Sequence, residues 1–297
     1  MNKVIERSVH NEPKRFILSS GRKLSFHSPL VMGIVNITPD SFYDGGRYFD
    51  ADTAVKHAEK ILDEGADIID LGACSTRPGA RDIGEAEELK RLLPVLETLI
   101  KRRPATVISV DTYRAKVAAE AVKRGAAFIN DISGGMMDKE MFETAAKLDV
   151  PYVLMHIKGT PQTMQKSPVY TDILTEVEQY FTDRIDKLLR AGVNQIIIDP
   201  GFGFGKTNEH NYTLLRNLRM FTKFNLPLLA GISRKSMVNR VLGIKPENAL
   251  TGTITLNTIA LLHGANILRV HDVAEAKQLI KLVSYYLNCN SESTTPV

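Results

Sequence analysis

The sequence predicts a single eight-stranded parallel α/β barrel, a (β/α)8 barrel, preceded by a short hairpin. Three observations carry that expectation. Eight apolar runs of strand length recur along the 297 residues, each followed by a longer amphipathic stretch of helical period. Most of these runs are apolar on successive residues, as strands covered by helices on one face and a core on the other must be. Finally, the runs end on polar residues, and in a parallel barrel all strand ends of one kind meet around one mouth.

The runs are LVMGIVN (30–36), DIIDLG (67–72), TVISVD (106–111), AFINDI (127–132), YVLMHI (152–157), QIIIDP (195–200), PLLAGIS (227–233) and NILRVH (266–271). Helical patterns fill the intervals, for example 52–66, 113–126 and 272–287. The first two close on Gly-Ala, as a glycine C-cap before the next strand does. An open, doubly wound sheet is the alternative. Eight even repeats and the lack of a dinucleotide fingerprint favour the barrel. Near the start, FILSS (16–20) and KLSFH (23–27) flank Gly21-Arg22, the pattern of a short hairpin. Residues 1–15 read as a mobile lead-in, 16–287 as one barrel domain and 288–297 as a disordered polar tail.

Composition narrows the function classes. Hydrophobic residues make up 43% and charged residues 24%, a globular balance, and the net charge of +4 is too mild to argue for a nucleic-acid partner. No apolar stretch approaches the roughly 20 residues of a membrane span, and residues 1–15 have no apolar signal core. The expected location is therefore the cytoplasm, with no membrane or nucleic-acid partner. Cys74 and Cys289 are far apart and form no metal pattern, so free thiols are expected.

The ends of the runs hold the chemistry. They place Asn36, Asp111, Asn130-Asp131, His156, Asp199, Ser233 and Arg269-Val270-His271 around the mouth. Asp and Asn after a strand also serve as turn formers and helix caps. That explanation does not reach Arg269 and His271, which lie in or at the end of a run and cap nothing. In GISRKSM, residues Ser233, Arg234, Lys235 and Ser236 fall between the seventh run and a helix, where barrels bind anions on backbone amides. DPGFGFGKT fails the phosphate-loop spacing because Pro200 stands where its first glycine belongs, and it reads as an open loop at the mouth. His57 and His263 sit on helical stretches and read as structural. No metal cage and no Ser-His-Asp elbow is visible.

Seven strings carry a family resemblance: MGIVNITPDSFYDGG, STRPGA, SVDTYRAKVAAEAVKRGAAFINDISGG, MHIKGTPQTMQ, IIIDPGFGFGKT, GISRKSM and ILRVHDV. Together, in this order and each at an expected strand end, they resemble the dihydropteroate synthases, a pterin-binding TIM-barrel family. The resemblance runs from about Leu30 to Leu282. It implies a transferase of folate biosynthesis that condenses 6-hydroxymethyl-7,8-dihydropterin pyrophosphate with p-aminobenzoate, releases pyrophosphate and is a target of sulfonamide inhibitors. It further implies that Asp111, Asn130, Met155, Asp199 and Lys235 bind the pterin. The p-aminobenzoate pocket would comprise Phe42, Thr76, Arg77, Pro78, Phe204 and Ser236. Asn36, Ser233, Arg269 and His271 would bind pyrophosphate, with Asn36 touching its Mg2+. Asp111, Lys235, Arg269 and His271 would be catalytic. The family's homodimer is expected as well, with Ile259, Leu261 and Leu262 among the apolar residues of the last helices. One departure stands out: where the family usually reads Gly-Gly-Glu before Ser-Thr-Arg-Pro-Gly, this chain has Gly72-Ala73-Cys74. The competing readings are another pterin-binding barrel of the methyltetrahydrofolate methyltransferase kind, a Schiff-base aldolase using Lys235, and a non-catalytic paralogue.

Overall fold

The structure is a computed structural model that describes residues 15–18, 20–37, 51–75, 82–165 and 168–289. Two three-residue strands, β1 (Arg15–Ile17) and β2 (Lys23–Ser25), pair antiparallel as the expected hairpin. Eight strands follow: β3 (Leu30–Asn36), β4 (Ile68–Gly72), β5 (Ile108–Asp111), β6 (Phe128–Asp131), β7 (Tyr152–Met155), β8 (Ile196–Asp199), β9 (Leu229–Ala230) and β10 (Ile267–Val270). All their pairings are parallel, in the order β8-β7-β6-β5-β4-β3-β10-β9. A further parallel bridge between Ile198 and Leu228 joins the two ends and closes the barrel. Each strand falls inside one of the eight apolar runs. The one-residue differences at the edges, β1 beginning at Arg15 and the last helix reaching Asn288, lie within the fraying of any element end.

Among the described residues nine α-helices cover the outside: α1 (Ala51–Asp63), α2 (Gly84–Arg102), α3 (Ala115–Lys123), α4 (Met141–Leu148), α5 (Ile173–Ala191), α6 (Asn208–Arg216), α7 (Ser236–Leu242), α8 (Leu250–Leu262) and α9 (Val273–Asn288). Most form because their apolar residues recur at helical spacing and seat one stripe on the strands; α8 is apolar around its circumference. In α5 the buried set is Ile173, Val177, Phe181 and Leu188, and the Asp172 side chain accepts from the Leu174 amide to cap the first turn. Gly65 and Gly125 follow α1 and α3 with φ of +100° and +104°, the left-handed ends expected of the two Gly-Ala pairs.

The barrel interior is layered. At its lower end Met32, Ile68, Val107, Phe128, Val153, Ile197, Leu229 and Ile267 form one apolar cluster, into which the hairpin inserts Phe16, Leu18, Leu24 and Phe26. The hairpin thus plugs the bottom, with Phe16 and Phe26 edge to face at 4.9 Å. Side chains alternate along each strand, so the next inward residues, two further on, are Asp70, Ser109, Asn130, Met155, Asp199 and Arg269. The top layer carries Asn36, Asp111, Ser233 and His271. On β4, β5, β6, β8 and β10 the change from apolar floor to polar layer occurs within two residues, whereas β3 and β7 keep Ile34 and Met155 at that level.

Candidate active site

Strand register sets the neighbours. Asp111 lies beside Gly72 on one flank and Asn130 on the other, and Met155 lies beside Asp199. Around this ring the side chains form one connected network. Arg269 on β10 donates from Nε to Asp70 (2.6 Å) and from Nη2 to Asp111 (2.8 Å). Asn130 donates from Nδ2 to the same Asp70 oxygen at 3.0 Å. Asp70 is completely buried, and its Oδ1 has no hydrogen-bond partner among the described residues. Asp199 is fixed at the end of β8 by the Gly201 amide, which donates to its Oδ1 at 2.7 Å. Gly231 keeps the wall opposite low: a Cβ there would lie 3.6 Å from Lys235 Nζ and 3.9 Å from Asp199 Oδ2.

Burial sets the electrostatics. It raises Asp111 to a pKa of about 7, against the opposing pull of Arg269 and with help from the charges of Asp70, Glu88 and Asp131. Asp199 is likewise raised by burial, opposed by Lys235 and the Gly201 amide. Burial lowers Lys235 to about 8, while Asp199 pulls the other way. Its ammonium donates to the Phe202 carbonyl at 2.5 Å and stands 4.6 Å from the centre of the Phe204 ring. The site therefore holds a carboxyl, Asp111, and an amine, Lys235, whose ionisation lies close to neutrality, the condition under which a bound ligand decides their charge, beside a second carboxyl, Asp199, that burial shifts upward.

The turn after β9 makes the outer half. Ser233 Oγ and His271 Nδ1 are 3.0 Å apart, and Ser233 Oγ also accepts from the His271 amide at 3.2 Å. Close-packed protein around the ring, then Arg269 and Arg234, push the His271 pKa down. Since the residue remains exposed at the rim, the cations give the firmer part of that shift. Arg234 holds the turn: its backbone is left-handed (φ +54°). Its guanidinium donates to both carboxylate oxygens of Asp272 (3.0 and 2.5 Å) and to the carbonyls of Pro246 and Glu247.

The structure thus brings Asp111, Asn130, Met155, Asp199, Lys235 and Arg269 to one place and sets Ser233 and His271 beside it. Arg269 and His271 leave the same face of β10 as their spacing requires, but they diverge. The guanidinium turns down to two carboxylates, while the imidazole turns to Ser233. Asn36 ends β3 half-buried, Phe204 lies against Lys235, and Ser236 is exposed at the start of α7. Phe42, Thr76, Arg77 and Pro78 lie outside the described residues. Cys74 and Cys289 are free thiols, and His263 is structural, its Nδ1 lying 2.9 Å from the Leu215 carbonyl. Cys74 neighbours Arg114, which donates to Asp82 and Glu88. Two carboxylates already neutralise that arginine, so a thiol in the glutamate's place leaves no unpaired cation.

Two residues of the site were not read from the sequence. Asp70 sits in the middle of its run rather than at the end; a charge inside a strand buried on both faces is the signal that marks it. Lys206, in the glycine-rich string, is 3% exposed and lies beneath the loop instead of at its surface.

Comparison with known proteins agrees with this geometry. The family model described as pterin binding enzyme matches residues 32–271. The dihydropteroate synthase of Escherichia coli K12 is 44% identical over 274 residues, 92% of this chain and 96% of that one. The crystal structure of the Yersinia pestis dihydropteroate synthase with a sulfonamide drug complex superposes with a TM-score of 0.88 at 42% identity, covering 93% of this chain and all of that one. The Xanthomonas albilineans dihydropteroate synthase in complex with 7,8-dihydropteroate gives 0.84 at 36% identity, with coverage of 93% and 100%. The chain belongs to the dihydropteroate synthases, within the pterin binding enzyme family.

Proposed function

We propose that the barrel mouth joins p-aminobenzoate to 6-hydroxymethyl-7,8-dihydropterin pyrophosphate, yielding 7,8-dihydropteroate and pyrophosphate. The observation that carries this reading is the ring of Asp111, Asn130, Asp199, Lys235 and Arg269 above an apolar floor. A pterin is a flat heterocycle whose edge alternates donors and acceptors. Carboxylates and a carboxamide match its guanidine-like edge, and an ammonium matches its carbonyl. Met155 supplies an apolar surface beside Asp199.

The reaction breaks the bond between the pterin methylene and the pyrophosphate oxygen. The electron pair leaves with pyrophosphate, and positive charge spreads over the methylene and the ring. The ring charge stabilises the ionised form of Asp111, whose pKa of about 7 leaves it ready to lose its proton. The amine lone pair of p-aminobenzoate then forms the carbon–nitrogen bond, and the resulting ammonium loses a proton to solvent water. Ser233, His271 and the turn amides take the pyrophosphate end, with Arg269 between them and the ring. Phe204 and Ser236 stand on the p-aminobenzoate side in this reading; Phe42, Thr76, Arg77 and Pro78, which the family resemblance adds to that pocket, lie outside the described residues. No nucleophilic side chain is needed.

Mg2+ belongs to this reading as a partner of the pyrophosphate, whose negative charge it would offset when bound. Among the described residues no group of three or more His, Cys, Asp or Glu could hold a metal. One neutral oxygen, that of Asn36 at the end of β3, suits a cation that keeps its waters and arrives on phosphate. The reading also includes a homodimer and a cytoplasmic location, where both thiols stay reduced. For the dimer, the supporting surface is a groove of about 540 Å³ between α8 and α9, lined by Ile254, Leu262, Leu279, Leu282 and Tyr286 among others. Leu282, Tyr285 and Tyr286 are at least 70% exposed. Of the residues expected there, Leu261 instead faces the core, and Ile259 and Leu262 are partly buried. Among the described residues no helix is long and apolar enough to cross a membrane.

The direct test incubates purified protein with both substrates and Mg2+ and follows dihydropteroate and pyrophosphate together. The expected result is equimolar formation of the two products, dependent on Mg2+, with sulfonamides competing against p-aminobenzoate. Folded protein that turns over neither substrate would refute the reading.

A further inference from the structure

The glycine-rich loop after β8 matches no phosphate loop, and its lysine takes no part in the chemistry above. From residues 201 to 205 every carbonyl oxygen accepts a hydrogen bond from a side chain. Gly201 and Phe204 accept from Lys206 Nζ (2.9 and 3.0 Å), and Phe202 accepts from Lys235 Nζ (2.5 Å). Gly203 accepts from Gln165 Nε2 (2.6 Å), and Gly205 from Tyr170 Oη (2.7 Å). Lys206 Nζ also lies 3.2 Å from the His156 carbonyl and 2.9 Å from His156 Nδ1. Its buried nitrogen thus faces four acceptors, three of them backbone carbonyls drawn from two different loops.

That convergence requires an unusual backbone. Gly201 and Gly205 have φ of +68° and +61°, and a Cβ on them would lie 2.0 Å from the His156 carbonyl and 2.4 Å from the Lys158 carbonyl. Two left-handed glycines pressed against the β7 loop turn the carbonyls inward, toward a point where only a cation balances their dipoles. Burial by itself drives the Lys206 pKa well down, and Lys235 adds to this while Asp199 opposes it. The carbonyls and the ring nitrogen are all acceptors, however, and favour the ammonium form. The loop folded around this ammonium is the one whose Phe202 carbonyl and Phe204 ring hold Lys235.

We propose that Lys206 is a positioning residue. Its ammonium is the internal cation that shapes the 201–205 loop, and through Phe204 it sets the p-aminobenzoate side of the site. The second half of this inference rests on the proposed function, because that reading makes Phe204 a wall for p-aminobenzoate.

The test compares wild type with K206Q, which keeps an N–H donor, and K206A, measured with and without n-propylammonium. That ion replaces the missing three carbons and the nitrogen. Melting temperature first establishes that each variant is folded. In K206Q, amide exchange in the peptide spanning residues 200–207 should speed up roughly tenfold, the loss of about one hydrogen bond, with little change elsewhere. The KM for p-aminobenzoate should rise roughly tenfold, while the dissociation constant of a pterin lacking pyrophosphate rises by clearly less, because Lys235 keeps Asp199 beside it. Propylammonium should restore K206A in both readouts, and n-propanol should not. Unchanged exchange in a folded variant would overturn the cation role. Equal losses toward pterin and p-aminobenzoate would overturn the action through Phe204. Failure of wild type to turn over would instead refute the proposed function, and the exchange arm would still report on Lys206.

Discussion

Asp70 shows how one side chain organises the mouth. It is completely buried and holds both Arg269 Nε and Asn130 Nδ2. Replacing it with asparagine removes the charge that Arg269 pairs with; the one amide oxygen can still accept from Arg269 and Asn130, but weakly, and an NH2 is buried where Oδ1 stood. Asp70→Asn should therefore lower kcat/KM for the pterin substrate by roughly 10- to 100-fold, equivalent to about 1.5–3 kcal/mol for hydrogen bonds to a charged group. Steady-state kinetics with a melting curve on the same sample checks this, and a folded variant with unchanged kcat/KM would show that Arg269 is held without it. Asp111, Asp199 and His271 were legible in the sequence because each ends an apolar run. Asp70 was not, because a strand with apolar residues on both sides hides one inward carboxylate. Its register partner Ser109 is hidden in the same way, two residues before Asp111.

At the scale of elements, the eight runs mapped onto eight strands because parallel strands buried on both faces are apolar without alternation. What alternates is the inner layer, and it can be read only once register is known. β10 illustrates this: Ile267 joins the apolar floor, Arg269 joins the carboxylates and His271 reaches Ser233. Residue spacing placed Arg269 and His271 on one face but could not show that their side chains part. The hairpin was legible as two short runs around Gly21-Arg22, but its role as a plug was not, because the contacts are made with strands far away in sequence. That role gives a clean separation of stability from activity. Phe16→Ala should destabilise the protein by about 3 kcal/mol, through a lost aromatic pair and an unfilled floor. It should leave kcat/KM within about twofold at a temperature where the variant is folded, because the apolar floor separates the hairpin from the mouth. Chemical denaturation and kinetics on one preparation decide it; a large fall in kcat/KM would mean that the plug shapes the mouth.

For the whole molecule, the barrel keeps stability at one end and chemistry at the other, and its helices leave an apolar surface on α8 and α9. That surface predicts a dimer at micromolar concentration. Leu282→Glu on the exposed rim of the groove should shift the mass measured by light scattering toward the monomer without unfolding the chain. A wild-type monomer at that concentration would remove the dimer from the account. The central claim is that the deep ring of carboxylates and amides reads the pterin, while the outer turn reads the pyrophosphate. The measurement that tests it most directly is a titration of a dihydropterin lacking pyrophosphate into wild type, Asp199→Asn and His271→Ala. Binding should weaken by roughly 10- to 100-fold in Asp199→Asn, the cost of mismatching a buried charge-assisted pair, and stay within about twofold of wild type in His271→Ala. Normal binding in Asp199→Asn with a large loss in His271→Ala would contradict it and reverse the orientation of the substrate in the barrel.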